Sequence, residues 1–164
     1  MIDPPIPPDE ISPNGQTSRT CPTDPTLLLH DDRDAWVLYT IGYGNRSADD
    51  FDALVPPEGW LIDVRLNPYG RPEFTRPALM ARFGTRYWHL PSLGNSAYKD
   101  PEGQTVLADP DRGITLLEDR FLLSSVNTIF CACLDYRVCH RLLVARLFKD
   151  YMAAMDQPIT IVHL

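Results

Sequence analysis

From Trp36 to the end of the chain, short apolar runs alternate with segments of helical periodicity. This alternation constrains the fold more than any other feature. Five runs have strand length and are rich in β-branched and aromatic residues: Trp36–Ile41, Trp60–Arg65, Arg86–Leu90, the run through Thr128, Ile129 and Phe130, and Ile159–His163. Between the first two, Ser47 and Asp50 form a variant of the capping box. They open a helix with Phe51, Leu54 and Val55 on one face. A second helix starts near Arg76, carries Leu79, Met80 and Phe83, and stops at Gly84. A third covers Ile114–Leu123, and a fourth runs from the cysteine-rich turn to about Met155. Strands alternating with helices predict an α/β fold: a mostly parallel, Rossmann-like sheet of about five strands, with helices on both faces and right-handed crossovers. Ligands of such sheets bind beyond the carboxyl ends of the strands.

The chain of 164 residues suits one domain over residues 35–164. Residues 1–34 are rich in Pro, Asp, Thr and Ser and read as an irregular or disordered lead-in, with Leu27–Leu29 as its apolar cluster. The first residues have neither the basic region nor the apolar core of a secretory signal, and no apolar run reaches the roughly 18 residues of a membrane span. The cytoplasm is therefore the expected compartment, where four cysteines act as thiols or ligands rather than bridges. A net charge of −7 opposes steering onto duplex DNA while leaving room for a local basic pocket. Lys99 and Lys149 are the only lysines, so arginine, the better bidentate partner for phosphate or carboxylate, supplies nearly all the positive charge.

The strand-end rule gathers Asn45, Arg46, Asp63, Arg65, Arg71, His89 and the segment Cys131–Arg141 into one neighbourhood. Arg46, Arg65, Arg71, Arg137 and Arg141 together suit an anion. Asp63 and Arg65, two apart on a strand, share a face, which allows either a structural ion pair or a carboxylate acting as general base. Cys139 falls at a helix start, where backbone N–H groups favour a thiolate, with His140 or His89 as base. The spacing of Cys131, Cys133, Cys139 and His140 departs from the common zinc pairs. Cys131 reads as a small core residue, and Cys133 stays open between core and site. Cys131 and Arg137 have the spacing of a phosphatase loop, but no glycine lies between them to let the backbone wrap a phosphate. Tyr43, Tyr69 and Tyr98 sit in loops on the expected rim, where they would stack on a base or sugar.

Several of these residues recur as a set. Thr40–Ser47, Asp63 and Arg65 with Pro68, Gly70, Arg71 and Phe74, Tyr87–Pro91 with Leu93 and Gly94, and Cys131 and Cys133 with Cys139–Arg141 together resemble the DUF488 family, in its order, over nearly all of residues 38–164. The resemblance implies a compact α/β domain and a site holding Asn45, Arg46, Asp63, Arg65, Arg71, His89, Cys139, His140 and Arg141. It implies little about activity. The chain departs from the family at Gly70, beside Arg71, where many members carry serine. It departs again at Cys133, where many carry glutamate and some cysteine.

The expected function is an enzyme, a hydrolase or transferase, acting on a phosphorylated small molecule, a nucleotide or a nucleic-acid end. Asn45, Arg46, Arg65, Arg71 and Arg141 would bind the anion. Asp63, His89 and His140 would handle protons, and Cys139 would be nucleophile or hydrogen-bond donor. No cofactor, metal or membrane partner belongs to this reading. Two alternatives stand beside it: a non-catalytic module for a nucleotide or single strand, and a metal-binding or redox-sensing protein built on Cys131, Cys133, Cys139 and His140.

Overall fold

The computed structural model describes residues 36–100 and 104–164; the Pro-rich segment 1–34, with Cys21 and Leu27–Leu29, lies outside the described residues. Five strands, β1 (Trp36–Gly42), β2 (Trp60–Asp63), β3 (Tyr87–His89), β4 (Val126–Cys131) and β5 (Ile159–His163), form one sheet in the order β3-β2-β4-β1-β5. Every pairing is parallel. Four helices connect them: α1 (Ala48–Leu54), α2 (Arg76–Phe83), α3 (Pro110–Phe121) and α4 (His140–Ala154). The expected α/β class, parallel sheet and strand number are all present.

The strand order explains how the helices divide between the faces. The chain moves one way along the sheet from β1 through β2 to β3, then returns to β4 and β5. Crossovers of a single hand put their helices on opposite faces when the direction reverses. Accordingly, α1 and α2 supply Phe51 and Leu79 to a core with Ile41, Leu61, Phe74 and Phe130. On the other face α3 and α4 supply Ile114, Leu117, Phe121, Val144, Phe148 and Met152 to a core with Leu38, Ile62 and Ile129. Neighbours such as Leu61 and Ile62, or Ile129 and Phe130, thus serve opposite cores, as the two-residue period of a strand requires. Burial on both faces is why these strands read as continuous apolar runs. Each fully buried phenylalanine contributes about 1.5–3 kcal/mol relative to exposure.

Local signals hold where they have a mechanism. Ser47 caps α1, its Oγ accepting from the Asp50 amide at 3.0 Å. Gly84 ends α2 with a φ of 57°, a conformation that side-chain-bearing residues adopt only with strain. Helix α3 begins at Pro110, earlier than the apolar period indicated, because Asp109 caps it and proline occupies the first turn. No helix among the described residues is long and apolar enough to cross a membrane.

Parallel pairing brings all five carboxyl ends to one edge. There Ile41, Phe130, Asp63 and His89 lie in one register row, and Gly42 pairs with Cys131 one step further on.

Candidate functional site

After Cys131 the chain turns across the end of β1, and two glycines make room for it. A Cβ on Gly42 would lie 1.7 Å from the Cys133 carbonyl oxygen, and one on Gly44 would lie 2.8 Å from the Leu134 nitrogen. Asp135 then caps a short 3₁₀ turn, Tyr136–Val138, by accepting from the Arg137 amide at 2.9 Å. Cys139 is the N-cap residue of α4. Arg141, fully buried in the first turn of α4, donates from its two terminal nitrogens to the carbonyls of Cys133 and Leu134. A fixed guanidinium fork thus holds the loop folded back on the helix that follows it.

This fold-back brings the sulfurs of Cys131, Cys133 and Cys139 within 4.8 Å of one another. Cys131 and Cys139 are buried, whereas Cys133 is exposed. His140 completes the cluster. Its Nε2 lies 2.7 Å from the Val64 carbonyl, which can only accept, so Nε2 carries a proton. In the neutral ring Nδ1 is then a free lone pair, 3.6 Å from the Cys131 sulfur and 3.9 Å from the Cys139 sulfur.

The cluster shares its charge unevenly. Hydrogen bonds from the Cys131 and Cys139 thiols, aided by the nearby His140 and Arg141, outweigh burial and hold the Cys133 thiol far below its ordinary range. Cys131, which donates to Cys133, is pushed up to about 11. Cys139 is pushed up as well, through its bonds with Cys131 and Cys133 and through burial. The helix start therefore does not lower the Cys139 thiol. Burial alone would lower His140, but the Cys139 sulfur and the Val64 carbonyl outweigh it and raise it.

A cavity of about 450 Å³ opens over this cluster. Cys131, Cys133, Cys139, His140 and Arg65 form part of its wall, together with Tyr43, Tyr69, Tyr98, Asn67, Asn95 and Thr105. All three rim tyrosines thus line it. The lining lacks Asn45, Arg46, Asp63, Arg71, His89 and Arg141.

Four of those residues, Asp63, Arg71, His89 and Arg141, have other partners. Asp63 is fully buried and accepts from Arg65 Nε at 2.8 Å, Arg65 NH2 at 2.6 Å and the Tyr87 hydroxyl at 2.9 Å. Arg65 also donates to the Tyr43 hydroxyl and the Phe74 carbonyl. Burial alone would lower Arg65, but the Asp63 carboxylate more than offsets it and raises it, while burial and Asp63 push the Tyr87 phenol up. His89 meets the Arg65 carbonyl at 2.9 Å. Arg71 ties the Arg46 carbonyl to Glu73. Arg137 is exposed and paired with Asp135. Asn45 is exposed with a φ of 56°, and NH1 of Arg46 is buried with no hydrogen-bond partner.

No family model, no curated protein and no solved structure matches this chain.

Of the residues singled out from sequence, Arg65, Cys139 and His140 meet in the cavity, and Asp63, Arg141 and His89 support its walls from behind. Sequence reasoning left Cys133 undecided, and it did not connect Tyr87 with Asp63. The available signal was the register that puts Tyr87 on β3, beside Leu61 of β2.

Proposed function

We propose that the cavity at the carboxyl edge of the sheet is the active site of a thiol-dependent transferase or hydrolase, in which the Cys133 sulfur meets the substrate. The observation that carries this is the position of Cys133: exposed to a cavity, with two buried thiols and an imidazole clustered behind it. A buried cysteine behaves as a small hydrophobe, whereas an exposed thiol among polar hydrogen atoms has the surroundings of a nucleophile. In the proposed step Cys133 bonds to an electrophilic centre of the substrate. The leaving group departs with a proton from the thiol–imidazole cluster, and water or an acceptor then displaces the sulfur. The volume lies within the ~300–1,000 Å³ range of small-molecule sites. Tyrosine rings and the amides of Asn67 and Asn95 suit a planar, polar ligand. Arg65 faces it with a charge already matched by Asp63. Kinship with DUF488 is part of this proposal.

The test is site-resolved alkylation. In a Cys21→Ser background, iodoacetamide should modify Cys133 first, with Cys131 and Cys139 slower by about a hundredfold, as burial protects them. Prior labelling of Cys139, or equal labelling of all three, would remove Cys133 from this role.

Nucleotide binding without chemistry is the second reading, favoured by the exposed rings of Tyr69 and Tyr98 beside Arg65. It requires an affinity that falls with added salt, and a flat salt titration excludes it.

A further inference from the structure

We propose that Cys131, Cys133, Cys139 and Nδ1 of His140 form a tetrahedral binding site for zinc. The inference rests on the same cavity and deepens the reading given for it, because a coordinating thiol is deprotonated outright and a bound cation would present Cys133 as a metal-held thiolate.

The geometry carries it. Zinc bonds of about 2.3 Å to sulfur and 2.0–2.1 Å to nitrogen, at tetrahedral angles, set ligand atoms about 3.5–3.8 Å apart. The Nδ1 of His140 lies 3.6 Å from one sulfur and 3.9 Å from another. All three sulfurs fall within 4.8 Å of one another, whereas Nδ1 of His140 approaches only Cys131 and Cys139, so closing the set requires Cys133 to move toward the imidazole. The exposed Cys133 is the ligand free to make this movement, since Cys131, Cys139 and His140 are buried.

The support around the ligands is also of the right kind. A ligating histidine ordinarily donates its second ring N–H to a carbonyl or carboxylate, which fixes both tautomer and ring plane. The Val64 carbonyl, 2.7 Å from Nε2, does so here. Arg141 fixes the backbone of Cys133 and Leu134 through their carbonyls. Three thiolates and one imidazole are a soft, tetrahedral donor set, which selects zinc over magnesium or calcium. The spacing in sequence hides this set, because the two-residue step from Cys131 to Cys133 closes only when the loop folds back onto α4.

The experiment uses the full chain, stripped with a chelator under reducing conditions and titrated with Co²⁺ as a spectroscopic stand-in and then with Zn²⁺. The expected result is one Co²⁺ per chain with the visible absorption and sulfur-to-metal charge transfer of a tetrahedral thiolate site, bleached by one equivalent of Zn²⁺. Cys131→Ser and His140→Gln should each weaken Zn²⁺ binding at least ~10–100-fold, the loss typical of removing even an outer-shell partner, while Cys21→Ser leaves it unchanged. Should a variant fail to fold, proton release by the wild-type chain decides instead: binding of one Zn²⁺ should release protons from the thiol cluster at neutral pH, and none released would overturn the site. Absence of stoichiometric Co²⁺, a spectrum without charge transfer, or binding that survives His140→Gln unchanged would each overturn the site. An apo protein that binds no metal yet alkylates first at Cys133 removes this inference and keeps the proposed function. Metal binding with an inert apo Cys133 does the reverse.

Discussion

Replacing Asp63 separates a structural carboxylate from a catalytic one. In the folded chain Asp63 is 0% exposed and takes two hydrogen bonds from the Arg65 guanidinium and one from the Tyr87 hydroxyl. The Arg65 amide adds a fourth at 3.1 Å. Asp63→Ala leaves a buried guanidinium without its counter-charge, for which removal of one partner costs about 3–5 kcal/mol. With an unfolding entropy near 2.1 cal/mol/K per residue, a domain of this length should lose roughly 10–20 °C in Tm. Chemical denaturation at neutral pH should show the same loss as a lower midpoint with an unchanged m-value. A second variant tests the cause. Asp63→Leu combined with Arg65→Met removes both charges and should be more stable than either single variant, short of wild type by about 1–3 kcal/mol for each buried group left unpaired, the Tyr87 hydroxyl foremost. A single Asp63→Ala variant that loses less than ~1 kcal/mol, or a double variant as unstable as the two single ones summed, refutes the ion pair as the support of this strand end.

Two further outcomes follow from the loop and the last strand. Gly42→Ala should destabilise the domain by about 3 kcal/mol or more and expose Cys139 to alkylation, because the added methyl meets backbone at 1.7 Å rather than a movable side chain; urea midpoints and site-resolved labelling read both effects. The His163 imidazole is held below its ordinary range by burial and by Arg141 and Arg146, so as pH falls the unfolded chain binds the proton first. Its contribution to stability is therefore full above about pH 6.5, declines as pH falls below that value, and levels off once the folded ring is protonated too. The raised His140 has the opposite slope, so the check is the difference in urea midpoint between wild type and His163→Gln: wild type should lose more on acidification, and parallel curves contradict the assignment.

How much of this was legible in the sequence depended on whether the deciding physics is local. The strands were visible because burial on both faces forces continuous apolar runs, and Ile159–His163 was bounded correctly. The Ser47 cap and the Gly84 stop depend on one or two residues and were equally plain. The start of α3 was hidden because Asp109 and Pro110 sit in a stretch whose composition reads as loop. Strand order has no local signature. Nor has the reach of each loop residue: Arg65 lines the cavity, and Asn45 and Arg71 do not. That Cys133 is lowered and Cys139 raised depends on contacts among the thiols across a fold-back, a matter of a few ångströms that spacing along the chain does not encode.

Strand β4 lies between β1 and β2 although it is fourth in the chain. Until it arrives, β1 and β2 share no ladder, and the first half of the domain has no continuous sheet on which to condense. Its pairings with Val37 and Trp60 span 89 and 67 residues, so the central ladders belong to the slow, high-contact-order class in which loop closure precedes any reward. Cys131 is the last residue of that strand, and the thiol cluster therefore cannot assemble before the chain has closed these two long loops. Protection of those sulfurs during refolding is a clock for the docking of β4 between β1 and β2, and a nascent chain that has not yet reached β4 would present no site at all.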